Sequence, residues 1–313
     1  MKRIGLALMI VVLFAGCAFA VEQLMMATGG TAGTYFPLGG AMGQVMSEKS
    51  GVASITVQST GASGENLTFL GDGEVDLALV QNDMAHYAYN GLEVFKDFKI
   101  SNIRTIARLY PEYVHVVAQG ESNINGIADF KGHSISVGVG GGGNEANARQ
   151  VFEFYNLSYN NFKPLFISYA ETTSHFKDRH IDAFIYTVGI PNPSIMDIVT
   201  LHNVSFLPID GSQRDELIKN YPFFAPAVIP ANTYRGQAED IETVSLQAVM
   251  VVREDVPENI VYAITKALFE NLDAVASAHA KGYEISAEKA LEGVTVPLHA
   301  GAERYFKEIG VIR

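Results

Sequence analysis

Strand-like and helix-like patterns alternate along most of this chain of 313 residues. Short β-branched runs, which favour strands, lie at 54–57, 77–80, 135–137 and 183–186. Helical periodicity is found at 37–49, 65–70, 145–155, 171–176 and, in the longest stretch, from 257 to about 278, with Asp255 as its candidate cap. Because helices that connect strands cover the faces of a sheet, this alternation predicts an α/β architecture with largely parallel sheets.

Two segments are candidate crossings between two lobes. The segment 110–115 carries Pro111 just before a strand, and 244–252 is a long extended run late in the chain. If both are hinges, lobe 1 consists of residues 21–112 plus 245–313 and lobe 2 of residues 113–244. The length suits two domains, and the lack of a low-complexity linker predicts one interlocked body.

The first residues predict export from the cytoplasm. Lys2 and Arg3 precede an apolar run at 4–14, and small residues follow up to Ala20. This order is typical of a secretory signal peptide covering residues 1–20, with cleavage after Ala20. The segment 14–17 also approaches a lipoprotein box, so a lipid anchor on Cys17 is the alternative.

Charge and cysteine usage exclude some classes of protein. Cys17 is the only cysteine, so the mature chain has no internal disulfide, and about 290 residues can bury enough apolar surface without one. Without Lys2 and Arg3, 20 basic residues face 34 acidic ones. Such an acidic protein repels nucleic acid and anionic lipid, so we predict no nucleic-acid partner.

The loop 28–35 is the first candidate binding site. It follows a strand at 24–27 and precedes the helix that starts near Pro37. Its glycines let successive backbone N–H groups converge before a helix N-terminus, where they can bind a carboxylate or phosphate. A tight strand-to-helix turn is the structural alternative. The residues expected at the ligand are Thr28, Gly29, Gly30, Thr31, Thr34 and Tyr35.

A second glycine-rich loop, 138–144, again lies between a strand and a helix. It satisfies the dinucleotide pattern G-x-G-x-x-G, but four consecutive glycines make that match nearly unavoidable, and the acidic residue expected about 20 positions later is missing. We therefore expect a second backbone site that faces the first across a cleft. Its predicted ligand contacts are Gly140, Gly141, Gly142 and Asn144.

Further candidates stand at the ends of strands, where open α/β sheets bind ligands. Ser59 and Thr60 follow one strand and Gln81 another, whereas Asp83 is expected to cap the next helix. The remaining predicted contacts are His115, Tyr186 and Gly189. A lone histidine on a strand is more often a structural residue.

Catalytic motifs are missing from the sequence. It contains neither G-x-S-x-G nor H-E-x-x-H, and the mature chain has no cysteine nucleophile. Glu171 and His175 are four residues apart on a helical pattern, without an evident third metal ligand. A hydrolase that uses Ser59 with His115 is the enzymatic alternative; otherwise we expect no enzyme, no metal and no cofactor.

The chain resembles the TAXI branch of TRAP-transporter solute receptors. The matching segments are 27–37, 64–67 with 73–83, 109–115, 130–132, 181–184 with 189–191, and 229–234. The resemblance implies a type II periplasmic-binding-protein fold, with two lobes, a two-strand hinge and a ligand cleft between the lobes. It also implies a periplasmic receptor that delivers its solute to a sodium- or proton-driven TRAP membrane subunit.

Within this family the expected solute is an amino acid such as glutamate or glutamine, or a related acid such as a dicarboxylate. The sequence departs from the family where Gly142 replaces the serine of a Gly-Ser-Gly loop, and Asn144 could compensate for the lost hydroxyl. Arg149 is expected to support its own helix rather than bind the ligand. We expect a monomer that closes about its hinge; a solute-binding sensor or lipoprotein in signalling is the alternative function.

Overall fold

The computed structural model describes residues 21–313, so the predicted signal peptide and Cys17 lie outside the described residues. Within this range the strands are β1 (Glu22–Ala27), β2 (Ala53–Gln58), β3 (Leu77–Gln81), β4 (Ile103–Gln119), β5 (Ser134–Ser136), β6 (Lys163–Leu165), β7 (Ala183–Val188), β8 (Val204–Phe206), β9 (Ala225–Ile229) and β10 (Ile241–Arg253). The α-helices are α1 (Tyr35–Ser50), α2 (Ser63–Asp72), α3 (Asn82–Asn90), α4 (Gly143–Phe154), α5 (Tyr169–Lys177), α6 (Pro193–Leu201), α7 (Gly211–Asn220), α8 (Glu258–Phe269), α9 (Leu272–Ala278) and α10 (Ala300–Glu308). Short 3₁₀ turns lie at Glu93–Phe95, Ile127–Phe130 and Ala280–Glu284.

The strands form one mixed sheet in the order β2-β1-β3-β10-β4-β7-β5-β6, with β8 paired to β4 and β9 to β10. Pairing is parallel towards each end, among β1, β2 and β3 and among β5, β6 and β7. In the centre, β4 and β10 pair antiparallel with each other and with their neighbours. The prediction of largely parallel sheets was therefore wrong in the centre, where two long strands run in opposite directions.

The two central strands, β4 and β10, exchange their pairing partners at the same position along the sheet. Strand β4 pairs with β10 up to Tyr113, opposite Ser245, and with β7 from Tyr113 onward. Strand β10 pairs with β9 up to Ser245. The result is the predicted two-lobed α/β fold with both long strands passing between the lobes; the division into residues 21–112 plus 245–313 and 113–244 stays a prediction.

Apolar clusters lie on the helix-covered faces of the sheet. In α1, Leu38, Met42 and Met46 recur every four residues and are fully buried against β1 and β2 residues and α8. Each such side chain contributes about 1.5–3 kcal/mol relative to exposure. A separate cluster joins β5 and β7 to α4, for example through Ile135 and Val151.

Glycines end several helices on the side of the first lobe. Gly51, Gly73 and Gly91 follow α1, α2 and α3 with φ of 69°, 76° and 69°, a left-handed conformation in which a β-carbon is unfavourable. Each therefore allows the chain to turn back towards the next strand.

The longest helical pattern folds as two helices rather than one. Helix α8 ends at Phe269, and α9 begins at Leu272 after Asn271, whose φ of −132° is not helical. The expected cap was also wrong, because Asp255 accepts hydrogen bonds from the Arg253 guanidinium, and Pro257 occupies the N-cap position.

Candidate functional site

The amino ends of five helices meet at one cavity between the two lobes, those of α3 and α5 through their cap residues Gln81 and Ser168. Helix α1 contributes Gly33 to Tyr35, α2 contributes Ala62 and Ser63, and α4 contributes Gly142 and Gly143. The full lining consists of Gly29, Gly30, Gly33, Thr34, Tyr35, Thr60, Gly61, Ala62, Ser63, Gln81, Glu112, Val139, Gly142, Gly143, Asn144, Ile167, Ser168, Tyr169, Thr187 and Val188. Because helix N-termini carry unpaired N–H groups and partial positive charge, this geometry favours an anionic group.

The cavity is small. Its volume is about 110 Å³. Its walls combine polar loops with the apolar side chains of Val139, Ile167 and Val188. The space therefore suits a small solute.

Close contact between loops of the two lobes explains several glycines. A β-carbon at Gly64 would lie 2.1 Å from the Gly141 carbonyl oxygen, and one at Gly143 would lie 1.9 Å from Gln81 Oε1. On another edge, the Ser194 hydroxyl donates to the Ala32 carbonyl at 2.7 Å. The two glycine-rich loops thus face a shared cavity, and this conformation holds the lobes together around it.

Glu112 is a lining residue that the sequence analysis missed. It is only 3% exposed, and the Tyr35 hydroxyl donates to its Oε2 at 2.8 Å. Burial is the main cause that raises the pKa of Glu112 to about 8, against the lowering effect of the Tyr35 hydrogen bond. In the sequence, the only indication of Glu112 was its place in segment 109–115, which resembles the TAXI family. The stretch 110–115 was interpreted as a crossing between the lobes, so Glu112 was not named as a ligand contact.

Two buried polar atoms at the cavity have no hydrogen-bond partner. Gln81 Oε1 and Thr187 Oγ1 belong to side chains 3% and 2% exposed, and both residues line the cavity. A buried polar atom without a partner costs about 1–3 kcal/mol. Both atoms are inaccessible to solvent and Gln81 Oε1 lies against Gly143, so in this structure they are part of the packed wall rather than exposed contacts for a solute.

Asn66 supports the loops from behind. Its Nδ2 donates to the carbonyl oxygens of Thr28 at 2.5 Å and Leu79 at 2.7 Å, and its Oδ1 accepts from the Thr60 hydroxyl at 2.5 Å. One buried amide therefore ties the loops after β1 and β2 to strand β3. The sequence analysis covered Asn66 only as part of the helical pattern 65–70 and of the resembling segment 64–67.

Asn144 lines the cavity but its amide is already engaged. Its Nδ2 donates to the Val137 and Ile185 carbonyls at 2.8 and 2.9 Å. Its Oδ1 accepts from Thr187 N at 2.6 Å and from the Tyr169 hydroxyl at 3.2 Å. Asn144 therefore holds the wall in place, and the expectation that it replaces a lost serine hydroxyl at the ligand is not supported by these contacts.

Half of the predicted ligand contacts line this cavity. They are Gly29, Gly30, Thr34, Tyr35, Thr60, Gln81, Gly142 and Asn144. The other half do not line it: Thr28, Thr31, Ser59, His115, Gly140, Gly141, Tyr186 and Gly189. Contact of any of them with a solute stays a prediction.

The contacts of the second group explain their positions. The Thr28 and Ser59 hydroxyls donate to the Gln58 and Gly29 carbonyls at 2.6 and 3.0 Å, which joins the loops instead of leaving them free for a solute. The Tyr186 hydroxyl donates to the Tyr169 carbonyl at 2.9 Å. Thr31 and Gly140 are exposed, and Gly141 is exposed with its carbonyl directed at Gly64. Gly189 lies against the side chain of Lys281.

His115 is a buried structural residue, 1% exposed. Its Nδ1 lies 2.9 Å from the Tyr113 carbonyl, which can only accept, so Nε2 is the acceptor for the Tyr234 hydroxyl at 3.0 Å. Burial lowers the pKa of His115 to about 4, so the ring is neutral at pH 7. Because both ring nitrogens are used here and the Ser59 hydroxyl donates elsewhere, the structure does not form the Ser59–His115 pair of the hydrolase alternative.

Other charged candidates also have structural partners. Arg149 faces Glu93 at 3.4 Å and Glu145 at 3.7 Å and does not line the cavity, as expected for a residue that supports its helix. Glu171 accepts from Ser168, the cap of α5, in a capping box. Asp83 is not a cap, because Gln81 occupies that position, and its carboxylate accepts from Asn147 of α4.

Across residues 21–313, the structure contains no cluster of three or more His, Cys, Asp or Glu side chains arranged to hold a metal ion. In the same range, no helix combines the length and apolar character needed to cross a bilayer.

The comparison with protein families matches residues 26–310 to the NMT1-like family. The chain therefore belongs to the NMT1-like family. This match covers almost all of the described residues, including both glycine-rich loops.

Solved structures with the same fold support the two-lobed architecture. A Bordetella bronchiseptica RB50 protein matches with a TM-score of 0.60 and 13% identity, over 92% of this chain and 98% of that one. A putative L-cystine ABC transporter protein from Listeria monocytogenes matches with 0.51 and 11%, over 86% and 98%. The binding component of an ABC phosphonate transporter from Pseudomonas aeruginosa matches with 0.52 and 13%, over 85% and 80%. The shared fold of this NMT1-like protein is that of periplasmic solute-binding proteins.

Proposed function

We propose that this NMT1-like protein is an extracytoplasmic solute receptor that closes over a small polar or anionic solute. Glutamate, glutamine and related acids are the first candidates. The observation that carries the proposal is a cavity between two lobes that is lined by the N-termini of five helices, α1 to α5. The unpaired N–H groups and partial positive charge of helix N-termini stabilise an anionic or hydrogen-bonding group of a solute that enters.

Contacts across the cleft support binding by hinge closure. Asn147 of α4 donates to Asp83 of α3 at 2.8 Å, and Gln150 donates to the Tyr87 hydroxyl at 3.1 Å. These bonds join helices on opposite sides of the cavity and can form only while the lobes are together. A solute that touches both lobes adds contacts that exist only in the closed form and therefore favours it.

The partner in the membrane is proposed to be a TRAP-type subunit. The segments 27–37 and 73–83, which resemble TAXI receptors, support this choice, whereas the structural relatives include proteins of ABC transporters. The proposal includes cleavage after Ala20 and a monomer in the periplasm, with a lipid anchor on Cys17 as the alternative attachment. It includes no catalytic step and no cofactor.

A thermal-shift screen over amino acids and dicarboxylic acids tests the receptor function. A solute that binds only the folded protein at 100 times its Kd stabilises it by about 2.7 kcal/mol, which gives a measurable rise in Tm. Gln81→Ala should reduce the rise. Gln237→Ala is the matched control, since Gln237 is also buried but donates to carbonyls away from the cavity; it should lower Tm without changing the increment.

Two results would overturn the receptor proposal: no solute raises Tm, or Gln81→Ala keeps the full increment. Delivery is tested separately with the TRAP membrane subunit in proteoliposomes and labelled solute. Uptake that requires this protein supports the TRAP partner, and solute binding without uptake rejects it while leaving the receptor function in place.

A further inference from the structure

The cavity has an unbalanced set of charges. Among its lining residues, all within the described part of the chain, Glu112 is the only one with an ionisable acid or base other than tyrosine. No lysine, arginine or histidine lines it. A solute with only negative charges would be buried there without a basic side chain to pair with, whereas a solute that also carries an ammonium group could pair with the ionised Glu112 carboxylate.

The nearby basic side chain, Lys281, does not provide a positive charge in the lining of the cavity. Lys281 is 4% exposed, its ammonium pairs with Glu284, and it lies 5.8 Å from the Tyr110 ring centre. It lowers the pKa of Glu112, but this effect is smaller than those of burial, of the Tyr35 hydrogen bond and of repulsion by Asp83. Lys281 therefore belongs to an ion pair outside the lining and leaves Glu112 available to the cavity.

Resting on the proposed receptor function, we propose that Glu112 is the specificity-determining residue that accepts a protonated amine of the solute. The Tyr35 hydroxyl fixes the orientation of the carboxylate through its bond to Oε2. The helix N-termini at Tyr35, Ser63 and Gly143 provide the opposite pole for a carboxylate of the same molecule. The substrate class is therefore a small amino acid in its zwitterionic form, bound in preference to acids without an amine.

The ionisation of Glu112 makes solute binding depend on pH in a way that a contact with a neutral side chain would not. Its pKa of about 8 means that the carboxyl group is largely protonated at pH 7. An ammonium ion favours the ionised carboxylate and lowers this pKa, so binding of an amino acid at pH 7 releases a proton. Binding strengthens as the pH rises towards 8, as long as the amine of the solute stays protonated.

A dicarboxylate would show the reverse dependence. The protonated Glu112 would donate a hydrogen bond to the anion, and binding would weaken as the pH rises through 8. The groups that face Glu112 are Tyr35 from α1, Tyr110 and Tyr169, Asp83 from α3 and Lys281 from the 3₁₀ turn. The tyrosines have pKa values raised well above 10 by burial, so they do not titrate between pH 6 and 8.

Calorimetry with matched solutes tests the proposal. The solutes are glutamate with glutarate and glutamine with glutaramate, pairs that differ only by the α-amine, followed by the remaining amino acids with their des-amino counterparts. We expect Glu112→Gln to weaken binding of the preferred amino acid by about 10- to 150-fold, the range for a hydrogen bond to a charged group. The matched control is Glu145→Gln, because Glu145 is also buried but bonds to Tyr159 outside the cavity.

Proton release is measured by titration in buffers of different ionisation enthalpy at pH 7. Release by the wild type and none by Glu112→Gln is the expected result. Equal binding of the amino acid and its des-amino partner, an unchanged affinity in Glu112→Gln, or proton uptake would overturn the inference and leave the receptor function in place. If no acid or amino acid binds the wild type, the receptor function itself fails, and this inference fails with it.

Discussion

Asn147 Nδ2 donates to Asp83 Oδ2 at 2.8 Å, and this bond joins α4 to α3 across the cleft. Both side chains are buried, and Asn147 Oδ1 has no partner. Burial raises the pKa of Asp83 from 3.8 to about 6, although Met84 N and Asn147 stabilise its ionised form. The closed form thus contains a carboxylate that is costly to ionise and an amide oxygen that lacks a donor.

Asp83→Asn should stabilise the protein at neutral pH. The protonated acid is favoured in the folded state, so wild-type stability falls as the pH rises from about 4 to about 6, by about 3 kcal/mol at most. The asparagine has no ionisation cost; its Oδ1 keeps the bond from Met84 N, and its NH₂ group donates to Asn147 Oδ1 once the Asn147 amide has turned over. We expect a gain of about 1–3 kcal/mol at pH 7 that shrinks as the pH falls from about 6 to about 4, measured by urea unfolding.

The matched control for that prediction is Asp97→Asn on an exposed turn. It should give no gain that depends on pH. A gain for Asp83→Asn of equal size at pH 4 and pH 7 would contradict the ionisation argument.

Gly64→Ala should hinder closure. A β-carbon at Gly64 would lie 2.1 Å from the Gly141 carbonyl oxygen, a backbone atom that cannot rotate away. We expect at least tenfold weaker solute binding, equivalent to about 1.4 kcal/mol, and a larger radius of gyration with solute present, measured by small-angle X-ray scattering.

Gly40→Ala provides the comparison, because Gly40 lies on the exposed face of α1 and a β-carbon there meets nothing within 4 Å. It should preserve binding and raise stability by about 0.5–1 kcal/mol through helix propensity. Wild-type affinity in Gly64→Ala would show that the loops need not touch when solute binds.

Acid should destabilise the protein through His115. Its pKa is lowered from 6.5 to about 4 in the folded state, so the stabilisation is complete above pH 6.5 and is lost as the pH falls towards 4, by about 3 kcal/mol. The double variant His115→Phe, Tyr234→Phe removes the titrating ring without leaving the Tyr234 hydroxyl unpaired.

The measurement for His115 is the difference in Tm between wild type and the double variant from pH 7 to pH 4. This difference should shift in favour of the variant as the pH falls. A constant difference over that range would show that His115 does not carry the acid sensitivity. Comparing the two proteins also cancels the opposite contribution of Asp83.

The local pattern of the sequence contained much of the fold and part of the site. Alternating periodicities predicted the α/β class. Glycines before helices predicted the loops at 28–35 and 138–144, because a turn from a strand to a helix depends mainly on residues that are neighbours in the sequence. Patterns could not show that β4 and β10 make the sheet antiparallel in its centre, since strand direction depends on the whole path of the chain. They also missed the break at Asn271, where the apolar face continues across two helices.

Tertiary structure alone decided which polar side chains face the cavity. Glu112, Thr187 and Tyr169 come from different elements and meet there, whereas His115 and Tyr186 point to partners inside the second lobe. In the sequence, each of these five residues is a single polar residue on or near a strand. Which face of the sheet its side chain occupies depends on strand pairing between residues that are far apart in the chain. The sequence by itself therefore determined the backbone loops that can bind an anionic group, and the packing of the two lobes determined the single carboxyl group, Glu112, that faces them.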